Sequence, residues 1–204
     1  MGSDVERAMK RVIDVTGAST GLLLMSPVIA AAALLVAVTM GRPILYRQLR
    51  PGLGGRAFTM YKIRTMTPSK PGEIHYLTHA ERLTPVGRLL RRTSIDELPE
   101  LWNVLKGDMS LVGPRPLLME YLDRYSPEQA RRHDVRPGIT GWAQVNGRQE
   151  VPFRKRFELD TWYVDNWSLK LDAKILLKTF GRVLRSSGVV RGTVDEVAGD
   201  ESFS

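Results

Sequence analysis

The chain has 204 residues, no cysteine and a formal charge of +8, enough for one well-packed domain and too short for two large ones. The missing cysteines exclude a disulfide scaffold, a thiolate zinc site and a thiol nucleophile. Residues 192–204 hold Asp195, Glu196, Asp200 and Glu201 and no basic residue, so residues 1–191 carry +12, and so basic a body calls for an anionic partner: nucleic acid, acidic lipid or a phosphorylated substrate.

The first element in chain order is the uncharged stretch from Val15 to Met40. It is long enough to cross the hydrocarbon core as a helix and too long for an ordinary signal peptide. Pro27, near its centre, removes a backbone donor and predicts a kink, with the Ser26 hydroxyl placed to take up a freed carbonyl. Arg7, Lys10 and Arg11 precede the stretch, and Arg42, Arg47 and Arg50 follow it. Basic flanks on both sides favour both ends in the cytoplasm, hence a helix that enters, bends and returns. One tilted span with a harmless proline is the competing reading, and a buried core helix is the third.

Pro43–Gln48 and Ala57–Ile63 read as short strands joined by the turn Pro51-Gly52-Leu53-Gly54-Gly55, a hairpin signal and not a dinucleotide fingerprint, because no helix pattern follows it. Residues 81–92 predict a helix. A second is expected to begin near Thr93 or Ser94 and run through Lys106, closed by Gly107. Gly113-Pro114-Arg115-Pro116 is a stiff loop, Leu117–Tyr125 a short helix and Val151–Trp167 a longer one. In Leu171–Arg185, Lys174, Lys178, Arg182 and Arg185 share one side and Leu176, Leu177, Phe180, Val183 and Leu184 the other, which suits either an anionic membrane surface or a protein core. The tail 192–204 is expected to be disordered.

The stretch that could carry chemistry is Arg91-Arg92-Thr93-Ser94-Ile95-Asp96-Glu97. Acidic residues at a helix start can simply complement its dipole. Here the preceding arginines offer phosphate donors, and two carboxylates can hold Mg²⁺ together with phosphate oxygens. Arg115, between two prolines, is held on a stiff backbone that lowers the entropy of fixing a guanidinium on a ligand. Arg136 and Arg148 flank a glycine-rich segment, Gly138 to Gly147, whose backbone can approach a phosphate. His75 and His79 are four apart, without the glutamate of a zinc-protease helix, and read as a solvated pair. His133 has no partner at metal spacing. There is no P-loop and no serine nucleophile elbow.

Six segments occur in this order: Arg50-Pro51-Gly52; Tyr61-Lys62-Ile63-Arg64-Thr65-Met66; Ser94-Ile95-Asp96-Glu97-Leu98-Pro99; Asn103-Val104-Leu105-Lys106-Gly107-Asp108-Met109-Ser110; Gly113-Pro114-Arg115-Pro116; and Arg136-Pro137-Gly138-Ile139-Thr140-Gly141. Together they closely resemble the bacterial sugar transferases, also called monotopic phosphoglycosyl transferases, up to about Val190, with the look of the small members that are little more than a catalytic domain. The resemblance implies a mostly helical α/β monotopic membrane protein. Its parts would be a re-entrant helix (residues 1–42) bent at Ser26-Pro27, a cytoplasmic catalytic domain (43–191) with a β-hairpin and interfacial amphipathic helices, and the acidic tail. It implies a catalytic dyad at Asp96 and Glu97, Mg²⁺ held there, and phosphate contacts at Arg91, Arg115 and Arg148, to which Arg136 and Lys62 are added as candidates.

The implied reaction moves a sugar-1-phosphate from a UDP-sugar to a polyprenyl (undecaprenyl) phosphate through an aspartyl intermediate at the cytoplasmic face of the bacterial inner membrane. It implies no nucleic-acid partner, and it leaves the sugar, the pathway and the oligomeric state open. The rival reading is a non-enzymatic basic protein of the membrane surface. It accounts for the charge and the apolar segment but leaves the Asp-Glu pair and the rigid arginine loop without a role.

Overall fold

A computed structural model describes residues 3–68, 79–147 and 152–184. The expected acidic tail, His75, Arg148 and Arg185 lie outside the described residues.

Helix α1 runs from Asp4 to Met40, about 55 Å if straight, and is long and apolar enough to cross a membrane. Ser3 starts it with a capping box: its hydroxyl accepts from the Glu6 amide and its own amide donates to the Glu6 carboxylate, satisfying two orphan donors. Pro27 cannot donate to the carbonyl of Leu23, four residues back, and the Ser26 hydroxyl donates to that carbonyl at 2.8 Å. The backbone group freed by the proline is thus satisfied locally.

Both arms of α1 pack on the rest of the protein. Ala18 joins a core with Phe58, Met60, Leu101, Val104 and Met109, and Gly17 and Gly21 let Leu111 and Leu101 approach closely. Further along, Ala32 and Val36 join Ile63 and Leu90. Between the arms, residues 23–28 are exposed on every side.

Strands β1 (Leu45–Pro51) and β2 (Ala57–Ile63) form an antiparallel hairpin that pairs Tyr46 with Lys62. The first strand starts two residues later than expected and ends three later. The helix expected over 81–92 is two helices, α2 (His79–Arg82) and α3 (Pro85–Thr93). Thr84 caps α3 and Pro85 opens it, a start signal inside the expected helix. Gly87 lies against the end of the hairpin, where an added Cβ would come within 1.9 Å of the Thr65 carbonyl oxygen.

The helix expected from Thr93 to Lys106 is also divided. Ile95–Glu97 is a 3-10 turn, and α4 spans only Glu100–Lys106, led by Pro99 and closed by Gly107 in the left-handed conformation (φ 90°). A proline suits the start of a helix and removes a donor from the interior of a longer one. Next come β3 (Ser110–Val112), a 3-10 stretch Met119–Arg124, α5 (Pro127–Ala130) and β4 (Gly138–Thr140), the last paired in parallel with β3. The chain continues through α6 (Trp142–Val145), α7 (Phe153–Asp165) and α8 (Leu169–Leu184). The expected apolar side of α8 is split: Leu176 is partly buried against the cluster of Val112, Tyr163 and Ile175, whereas Leu177 and Phe180 are exposed, and the fully buried residue is Ile175, outside that expected side.

Three polar anchors fasten the first arm of α1. Lys10 donates to Asp172 (2.6 Å) and to the Val112 carbonyl (3.0 Å). Arg11 donates to the carbonyls of Val104 (2.6 Å) and Leu105 (2.8 Å) at the end of α4. Asp14, 3% exposed, accepts from the Ser110 hydroxyl and the Leu111 amide. At the other end, Arg64 donates to the carbonyls of Met40 and Gly41.

Candidate active site

The site forms where the hairpin meets the turn before α4. Asn103, fully buried, uses its amide as a strand edge: Oδ1 accepts from the Tyr61 amide (3.2 Å) and Nδ2 donates to the Thr59 carbonyl (2.7 Å). That pairing clamps α4 to β2 and brings Lys62, the next residue, over the carboxylates that precede and open α4. Ser94 places the turn by adopting a left-handed conformation (φ 58°), which costs a non-glycine residue about 1–2 kcal/mol, and strain of this kind clusters at functional sites.

Glu97 is the hub. Its Oε1 accepts from Lys62 Nζ at 2.7 Å and from Arg115 Nη2 at 2.5 Å. Burial alone would raise its pKa, but Arg115 and Lys62 outweigh burial and hold the carboxyl well below the usual carboxylate range. Lys62 Nζ also stands 3.0 Å from Glu100 Oε1, an ion pair not aligned as a hydrogen bond. Burial acts to lower the Lys62 pKa, yet Glu100 and Glu97 keep it above its ordinary value. Glu100 is 1% exposed, and burial pushes its pKa up against the pull of Lys62.

Asp96 is 6% exposed. No hydrogen bond to its carboxylate forms among the described residues. Burial, then the neighbouring Glu97, push its pKa up to about 6, against Lys62, Arg91 and Arg115. Arg91 is oriented by a bond from its Nε to the Thr65 hydroxyl (2.9 Å). The result is a buried carboxylate with no hydrogen bond among the described residues, within electrostatic reach of three cations.

The structure therefore brings together Lys62, Arg91, Asp96, Glu97 and Arg115. It does not bring Arg136, whose Nε donates to the Gly107 carbonyl (2.9 Å) at the far end of α4. Sequence reasoning missed Glu100, although its spacing from Asp96 and Glu97, four and three residues, is the spacing that gathers side chains on one helical face. His133 lines a small cleft with Arg115, Pro114, Pro116 and Arg132, and burial and the adjacent Arg132 push its pKa down to about 4.

The donor chemistry bears on a metal. Among the described residues no three His, Cys, Asp or Glu side chains gather into a cage. The uncommitted Asp96 carboxylate beside Glu97 instead matches the way Mg²⁺ is usually held, by one or two carboxylates plus substrate phosphate oxygens.

The model of the family described as bacterial sugar transferase matches residues 5–186. An uncharacterized sugar transferase, EpsL, of Bacillus subtilis is 54% identical over 181 residues, 89% of this chain and 90% of that protein. A UDP-glucose:undecaprenyl-phosphate glucose-1-phosphate transferase of Caulobacter vibrioides is 44% identical, over 86% of this chain and 69% of that one. The Escherichia coli protein of the same description is 41% identical, over 87% of this chain but only 40% of its own length. With the family match spanning nearly the whole chain, and with these identities over most of it, the chain belongs to the bacterial sugar transferase family and is a phosphoglycosyl transferase.

Proposed function

We propose that the protein transfers a sugar-1-phosphate from a UDP-sugar to undecaprenyl phosphate in two steps through Asp96. The observation that carries this reading is the Asp96 carboxylate, buried, without a hydrogen bond among the described residues and within electrostatic reach of Lys62, Arg91 and Arg115. The Caulobacter and Escherichia coli relatives are UDP-glucose:undecaprenyl-phosphate glucose-1-phosphate transferases, and a membrane-surface binding protein would have no use for this constellation.

In the first step an Asp96 oxygen forms a bond to the β-phosphorus of the donor. The bond from that phosphorus to the bridging oxygen breaks, and UMP leaves with the electron pair. In the second, a phosphate oxygen of the lipid attacks the same phosphorus and Asp96 departs as carboxylate, so the kinetics are ping-pong. Arg115 and Arg91 bind the diphosphate oxygens, offsetting the repulsion between an anionic nucleophile and an anionic substrate. Glu97, held ionised and weakly basic, suits the anchoring of Lys62 and Arg115 better than proton abstraction. Mg²⁺, held by Asp96 and Glu97, would neutralise developing charge on the phosphates.

The same reading places the catalytic body on the cytoplasmic face of the inner membrane, with α1 re-entrant. Its support is that both arms of α1 pack on one body while residues 23–28, around Ser26-Pro27, stand clear. Leu177 and Phe180 of α8 add apolar surface for the interface.

Intact-protein mass spectrometry tests the chemistry. Detergent-solubilised protein mixed with Mg²⁺ and single UDP-sugars, without lipid, should gain the mass of one sugar-phosphate, and Asp96→Asn should not. UMP release that needs the lipid acceptor, with no adduct from any donor, would refute the covalent step.

A further inference from the structure

Arg115 is useful to a diphosphate only if its guanidinium is aimed, and its side chain is partly exposed. Its aim therefore depends on the backbone beneath it. On one side that backbone is fixed by strand pairing, Gly113 N–H donating to the Thr140 carbonyl (2.9 Å) and Gly138 N–H to the Pro114 carbonyl (3.0 Å). At residue 115 itself the carbonyl accepts from Arg132 Nη2 at 2.8 Å. The same nitrogen donates to Asp160 Oδ2 of α7 at 2.7 Å, and Nη1 to the Tyr125 hydroxyl at 3.1 Å. The Arg132 and Asp160 side chains are 2% and 4% exposed, and the Tyr125 and Phe157 rings lie 5.7 and 5.5 Å from the guanidinium carbon.

A buried ion pair of this kind is a weak source of stability, because desolvation offsets most of the attraction. What it supplies here is direction: a planar fork held at three points, one of them the carbonyl of the residue that reaches Glu97. We infer that Arg132, locked by Asp160 and Tyr125, is a positioning residue that sets the Arg115 loop for the donor diphosphate. This rests on the reading of Arg115 as a phosphate ligand. A displacement of about 1 Å at such a group can cost about 100-fold in rate, so the loss of one of three supports should be smaller and visible.

Arg132→Lys keeps the charge beside Asp160 but cannot reach three acceptors in one plane. The assay follows UMP release by the full chain in detergent. It uses undecaprenyl phosphate, Mg²⁺ and whichever of UDP-glucose, UDP-galactose and UDP-N-acetylgalactosamine is turned over fastest. Arg115→Ala should lower kcat/KM for the donor by about 100-fold and Arg132→Lys by about 10-fold, and the double variant should be no worse than Arg115→Ala, since residues acting through one another are non-additive. Losses that multiply would overturn the inference while leaving Arg115 its role. A parent-like Arg115→Ala would remove the reading of Arg115 and the inference with it. If Arg132→Lys does not fold, Tyr125→Phe, which deletes only one acceptor, carries the same cycle with a loss of about 3-fold expected.

Discussion

Asp96→Asn should make the protein more stable as it makes it inactive. The Asp96 pKa is pushed up from an ordinary 3.8 to about 6, and at about 1.4 kcal/mol per unit this is about 3 kcal/mol disfavouring the ionised form in the folded protein. The unfolded chain loses the Asp96 proton near pH 4 (about 3.9), whereas the folded protein keeps it to about pH 6. Stability contributed by this group is therefore full below about pH 4, falls as pH rises through that window, and the whole penalty is present above about pH 6. The amide carries no charge and avoids the penalty. At about pH 7.5 the variant should gain up to about 3 kcal/mol, or roughly 6–12 °C in Tm for a chain of this size. By about pH 5 the gain should be near half. The assay is thermal melting by intrinsic fluorescence in detergent with EDTA, repeated with Mg²⁺, which should raise the Tm of the parent more than that of the variant. A variant that melts at or below the parent at neutral pH, or a gain that does not shrink on acidification, would refute this account of Asp96.

Two further predictions concern basic side chains, one beside Asp96 and one at the far end of α4. Lys62 lowers the Asp96 pKa, so Lys62→Met should move the acid limb of kcat/KM to higher pH than in the parent as well as slow the reaction; an unmoved limb in the pH profile of UMP release would mean the limb belongs to another group. Arg11→Met removes two donors from the last carbonyls of α4 and should lower stability by about 1–3 kcal/mol, read as a fall in Tm; an unchanged Tm would show that water replaces the arginine at no cost.

Much of the candidate site's grouping was legible from local chemistry. Asp96-Glu97 between arginines and a proline-flanked Arg115 are statements about neighbours, and so is Ser26 before Pro27, whose hydroxyl bonds the Leu23 carbonyl the proline leaves free. Gly107 closes α4 as expected. What was not legible depends on contacts distant in sequence. Lys62 reaches Glu97 because Asn103 fastens α4 along the edge of β2, and nothing local fixes that docking. Arg136, grouped with the phosphate residues by its glycine-rich surroundings, is instead bonded to Gly107. Arg132 and Asp160 are 28 residues apart and meet only in the core. Two misses were local, however. Thr84-Pro85 is a cap followed by a first-turn proline, and Pro99 is a second start signal; both lay inside helices taken as continuous.

The basic flanks of the apolar helix illustrate how a correct residue can support the wrong argument. By sequence, Lys10 and Arg11 are charges that favour the first end of the helix in the cytoplasm. In the structure both are engaged inside the protein, Lys10 with Asp172 and Val112, Arg11 with the carbonyls of Val104 and Leu105. Arg7 pairs with Asp4. Counting free charge beside the helix therefore says little about its orientation. Packing supports the re-entrant reading better than charge does: one arm is fastened to α4 and β3, the other to the hairpin and α3. The same α4 receives Arg11 at one end and follows the Asp96–Glu97 turn at the other. On the re-entrant reading, seven residues of helix fix the distance from the membrane anchor to the phosphate chemistry. A lipid acceptor arriving along α1 then meets the donor phosphorus at a depth set by α4, with no charge required to hold it there.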